Sequence, residues 1–115
     1  MKITGSIKNN ILILYLSGEL DHHSAASTRE AMENMQQKYR FHKLILDLSE
    51  MTFIDSSGIG VFYGRLNAIK SVGGRAALVG LNDKISRFIH ISGLDKCFEV
   101  YPDEQSAVDA FTQEQ

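Results

Sequence analysis

The sequence predicts an α/β domain, one mixed sheet of about five strands carrying about four helices, in the order β-β-α-β-α-β-α-β-α. Three observations lead there. The runs Ile11–Leu16, Leu44–Leu48 and Ala76–Val79 are too short for independent helices and too apolar for strands wetted on one face. Between them, apolar residues recur at spacings of three and four, as in Ile59, Phe62, Leu66, Ile69 and Val72. A strand, a helix of about four turns and another strand then imply a parallel crossover, which is right-handed in nearly every known case.

Taken in order, Ile3 to Ile7 alternates weakly and suits an edge strand. Lys8-Asn9-Asn10 reads as a turn, because asparagine tolerates left-handed backbone. Ile11–Leu16 is a strand buried on both faces, ended by Ser17-Gly18. From His22 to about Tyr39 a helix is expected, with Ala25, Met32 and Met35 on its inner face, Ala31 and Tyr39 beside them, and Asp21 or Ser24 as cap. Leu44–Leu48 is the next strand, and Ser49 to Asp55 reads as a connecting segment. The Ile59–Val72 helix ends at Gly73-Gly74, which can adopt positive φ. Ala76–Val79 is a strand. Asn82 caps a short helix carrying Ile85, Phe88 and Ile89, closed by Gly93. Phe98–Tyr101 is the last strand, and Asp103 caps a terminal helix presenting Ala107, Ala110 and Phe111.

A chain of 115 residues suits one domain and should bury roughly two-thirds of its unfolded surface. The formal charge of −2 and the lack of a basic cluster argue against nucleic-acid binding, which needs a cationic face. No apolar run approaches the ~20 residues of a membrane helix, and no signal peptide is evident, so a soluble cytoplasmic protein without membrane insertion is expected. Cys97 is the only cysteine, which excludes an internal disulfide, and it reads as a small buried apolar side chain.

Chemistry concentrates in Phe53-Ile54-Asp55-Ser56-Ser57-Gly58-Ile59-Gly60, where a carboxylate and two hydroxyls enter a helix. Such residues cap helices. A serine at that place is also open to modification, since the dipole and free N–H groups of a helix start tolerate a phosphate. Asp55, Ser56 and four histidines raise the thought of a serine hydrolase. There is no Gly-x-Ser-x-Gly elbow, and an adjacent Asp and Ser leave no room for the bridging His. Gly58-Ile59-Gly60 is not a dinucleotide fingerprint, because the third glycine would fall on Tyr63. Asp21-His22-His23 lacks further ligands at metal spacing. No catalytic residue, metal or cofactor is expected.

Gly18-Glu19-Leu20-Asp21-His22-His23, Leu46-Asp47-Leu48 and the Phe53–Gly60 stretch together resemble the anti-sigma factor antagonists of the STAS domain family, nearest to those of the sporulation type. Gly64-Arg65, Gly73-Gly74 and Ser92-Gly93-Leu94 add to the likeness, which runs from about residue 10 to 110. The resemblance implies a single STAS domain over 1–115 that is no enzyme. It implies binding, in the unphosphorylated form, to an anti-sigma factor that is also a serine kinase, which frees the sigma factor. Phosphorylation of Ser56 would end that binding, and a serine phosphatase would restore it. Asp21, Asp55, Ser57, Gly58 and Ile59 are the expected partner-binding residues, with the Asp21 turn lying near the Ser56 loop. The Ile59–Val72 stripe itself reads as core first, with Ile59, nearest the helix start, open to a second role as an exposed anchor. Arg65 and Arg87 read as solvated charges or interface contacts. The alternative is an accessory or sensing STAS module of another signalling or transport complex, indifferent to serine phosphorylation.

Overall fold

The computed structural model describes residues 1–113, and the expected placement of the Tyr39 side chain lies outside the described residues. Five strands form one sheet in sequential order: β1 (Lys2–Lys8), β2 (Ile11–Leu20), β3 (Lys43–Ile54), β4 (Arg75–Val79) and β5 (Glu99–Tyr101). The first pair is antiparallel and the other three are parallel. Four α-helices follow the expected alternation: α1 (Ala25–Tyr39), α2 (Ser56–Ser71), α3 (Asp83–Ser92) and α4 (Glu104–Thr112).

The antiparallel hairpin turns through Asn9 and Asn10, at φ 52° and 64°, the left-handed pair that a tight two-residue turn needs. Each central strand splits its apolar residues between two cores, because side chains alternate across a pleated sheet. Leu12, Leu14, Leu16, Leu44, Leu46 and Leu78 meet Met32 of α1, Phe62 and Leu66 of α2, and Ile85 and Ile89 of α3. Ile11, Ile13, Ile45, Ala77 and Val79 meet Ala107, Val108 and Phe111 of α4. Three helices cover one face and one covers the other. At the start of α4, Glu104 accepts a hydrogen bond from Tyr15 Oη at 2.5 Å and pairs with Lys8. Burial, with Glu104 beside it, pushes the Tyr15 hydroxyl up to about 12. Among the described residues, no helix is long and apolar enough to cross a membrane.

Four expectations are corrected. Ser17-Gly18 does not end β2: the strand continues to Leu20 through register shifts flanking that dipeptide, with Gly18 at φ 103°. The segment from Ser49 to Ile54 is strand, not connection: it continues β3 beyond Asp47, where β4 stops pairing, with Ser49, Glu50 and Thr52 exposed. Helix α1 starts at Ala25, because Asp21 to Ser24 forms a turn. Cys97 is exposed, just beyond a 3₁₀ turn at Leu94–Lys96 that displaces the last strand to Glu99.

Arg75 closes the β4–β5 edge by donating from Nε and Nη2 to the Glu99 carboxylate at 2.7 and 2.5 Å. These hydrogen bonds hold the Glu99 carboxyl below its ordinary range despite partial burial. A carboxyl with a depressed folded-state pKa stabilises the fold above its unfolded value of about 4.3 and loses that contribution as pH falls. The melting-temperature difference between wild type and Glu99→Gln should therefore be largest near neutral pH and shrink on acidification, as followed by circular dichroism.

Candidate functional site

Beyond Asp47, where β4 stops pairing, Ser17–Leu20 pairs with Glu50–Ile54, and past the Lys2–Ser17 pair at the start of β1 the sheet narrows to these two strands. At its tip the chain leaves β2 into the Asp21 turn and leaves β3 into α2. Asp55 is the N-cap of α2, in extended backbone at φ −120° and ψ −172°. Its Oδ1 accepts from the Ser57 and Gly58 N–H groups at 2.9 and 3.3 Å. Its Oδ2 accepts from the His22 N–H at 3.1 Å, and its own N–H donates to the Leu20 carbonyl at 3.2 Å. One side chain thus caps a helix and fastens the neighbouring turn to it.

That turn is organised by Asp21. Its Oδ1 accepts from the His23 and Ser24 N–H groups at 3.0 and 3.1 Å, while Ser24 Oγ accepts from the Asp21 N–H at 3.0 Å. Desolvation pushes the Asp21 carboxyl up, but the Ser24 and His23 donors outweigh it and the net shift is downward. The His22 and His23 rings pack at 3.9 Å between centroids, tilted by 40°. His22 Nδ1 lies 3.9 Å from Asp55 Oδ2, so a proton on that ring would sit beside a carboxylate.

Ser56 is the first residue of α2 and is exposed. Asp55 already occupies two of the three N–H groups that the first turn cannot bond internally, at Ser57 and Gly58. Ser57 is half-buried. Gly58 and Ile59 turn inward. A Cβ on Gly58 would lie 2.8 Å from both Ile54 Cγ1 and Leu20 Cγ, so only glycine lets α2 sit this close to the strand ends. Ile59 is 9% exposed and belongs to the core, as its place in the apolar stripe implies, and this corrects only its second role as an exposed anchor. The structure therefore gathers Asp21, His22, Asp55, Ser56 and Ser57 at one end of the sheet and places Gly58 and Ile59 beneath them. Arg65 is also corrected. It is no solvated charge but a side chain 11% exposed, donating from Nη1 to Gln36 Oε1 at 3.1 Å. Arg87 is exposed.

Sequence reasoning missed two supports. Asn82, recognised as the cap of α3 through its bond from the Ile85 N–H at 2.9 Å, also donates its amide to the Met51 carbonyl at 3.1 Å, beside the extension that β4 leaves unpaired. Phe53 stays 37% exposed on that extension, with Lys84 Nζ 5.5 Å from its ring centre. A side-chain amide with a second free end was the only available signal for the first.

Residues 2–107 match the model of the STAS domain family. The chain is 38% identical over 98 residues to an anti-sigma F factor antagonist of Paenibacillus polymyxa, covering 85% of this chain and 84% of that one. It is 33% identical over 87 residues to an anti-sigma-B factor antagonist of Listeria monocytogenes, covering 76% and 75%. Among solved structures, the anti-sigma factor antagonist SpoIIAA in its unphosphorylated form superposes with a TM-score of 0.77 at 20% identity, covering 98% of this chain and all (100%) of that one, a likeness of fold. A Mycobacterium paratuberculosis anti-sigma factor antagonist superposes with a TM-score of 0.80 at 26% identity, covering 95% and 92%.

Replacing Asp55 with Ala should cost about 0.5–2 kcal/mol in urea unfolding, the range for a lost N-cap. It should also shift the amide resonance of His22 as well as those of Ser57 and Gly58, because one carboxylate bonds all three.

Proposed function

The chain belongs to the STAS domain family, and we propose that it acts as an anti-sigma factor antagonist of the sporulation type, switched by phosphorylation of Ser56. The carrying observation is the exposed Ser56 hydroxyl at the first position of α2, flanked by the Asp55 cap and the Asp21 turn. The partner is an anti-sigma factor that is also a serine kinase, bound by the surface around Ser56 while the hydroxyl is free. Likeness to the P. polymyxa and L. monocytogenes antagonists supports the class, and the Asp21-His22-His23 turn with the higher identity favours the sigma F type.

The switch follows from charge. A phosphoserine adds about −1.5 to −2 charges at neutral pH. In most helix starts several free N–H groups would share that load, but here Ser57 and Gly58 already serve Asp55. The phosphate would stand beside a fixed carboxylate, in water that can screen it. A partner closing over the same spot must strip that water from an unpaired dianion, at a cost of several kcal/mol. A loss of about 3 kcal/mol already weakens binding more than 100-fold. No refolding is required. A serine phosphatase acting on the exposed phosphate restores the binding form.

Ser56→Asp should lose the kinase partner in a pull-down, while Ser56→Ala should bind it and gain no phosphate on incubation with partner and ATP, as read by intact mass. Equal binding by both variants, with no phosphate on wild type, would overturn the switch and favour the accessory-module reading.

A further inference from the structure

The far ends of the helices that carry the switch enclose a groove of about 400 Å³, between the last turns of α1, the Arg40–His42 link and α2. Arg65 forms its inner wall. A guanidinium brings five N–H donors, and here few are used. Nη1 bonds Gln36, whereas Nε is buried without a partner among the described residues. The nearest carboxylate oxygen, Glu33 Oε1, lies 3.9 Å from Nη2, beyond hydrogen-bond reach, and 3.7 Å from Arg29 Nε. The Nε–Nη2 edge, the one a carboxylate grips with two parallel bonds, is therefore unfilled. Leaving a buried donor unmet is costly. Burial depresses the Arg65 pKa, consistent with a cation short of acceptors.

The rest of the groove completes a ligand's outline. Arg40, held at φ 52°, adds a second cation at the rim, and Phe41 and the 51% exposed Val72 supply apolar surface. Two arginines against Glu33 suit a single negative charge better than a dianion. The volume matches a small molecule rather than a peptide.

We propose that this groove binds a small carboxylate with a flat apolar body, its oxygens on the Arg65 Nε–Nη2 edge and its ring against Phe41 and Val72. The site is separate from the Ser56 surface, and neither reading depends on the other.

The test is an ¹⁵N–¹H titration of the intact protein with benzoate, with neutral benzamide and inorganic phosphate in parallel. Benzoate should shift the Arg65 Nε–Hε signal and the Arg40, Ala68 and Val72 amides saturably, and the other two probes should not. Arg65→Gln should weaken benzoate at least tenfold. Ala68→Glu, which places a carboxylate three residues from Arg65 on the same helix, should abolish the response while raising the melting temperature, and it serves if Arg65→Gln misfolds. An absent or unsaturable benzoate response, an equal response to benzamide or phosphate, or benzoate shifts unchanged in the variants would overturn the site.

Discussion

The carboxylate of Asp55 holds the functional end of this molecule together. Its two oxygens face different elements: one collects the Ser57 and Gly58 amides of α2, the other the His22 amide of the β2–α1 turn. Those segments are more than thirty residues apart in sequence. An ordinary cap stabilises one helix. This one also sets where the Asp21 turn stands relative to the Ser56 hydroxyl, and it occupies the Ser57 and Gly58 amides that would otherwise be open to the proposed phosphate.

The extension beneath it explains why the site projects. β4 leaves β3 at Asp47, so the last part of β3 has only β2 beside it. A bare two-stranded ribbon is marginal in water. Here Asn82 bonds the Met51 carbonyl on the vacated side, and Met51 and Ile54 reach down into the larger core. The carboxyl ends of parallel strands are where open α/β sheets place their ligand sites, and the extension carries that end on to the start of α2. Gly58 then permits α2 to start hard against Leu20 and Ile54, keeping Ser56 at the surface and Ile59 inside.

Under the proposed switch, such an arrangement would let recognition respond to charge without motion. The residues under Ser56 are packed and the residues around it are hydrogen-bonded, so a modification there alters what a partner must desolvate far more than it alters the domain. The distant groove at Arg65 rests on the opposite condition, a buried cation whose Nε has no acceptor among the described residues.

The alternation of strand and helix, the doubly buried strands and the caps at Asn82 and Asp103 were determined by sequence alone, because local periodicity and short-range hydrogen bonds are written in neighbouring residues. The Asp-Ser-Ser-Gly start of α2 was legible for the same reason. Only the tertiary structure decided the rest. Ser49–Ile54 looked like a loop because its outward residues are polar, and its strand character comes from pairing with distant β2. Arg65, and the exposed-anchor role of Ile59, were misread because local sequence shows periodicity but not depth, and depth depends on what packs above a residue. That Asp55 serves two elements at once followed from the meeting of β2 and β3, a contact between residues far apart in the chain that no local pattern encodes.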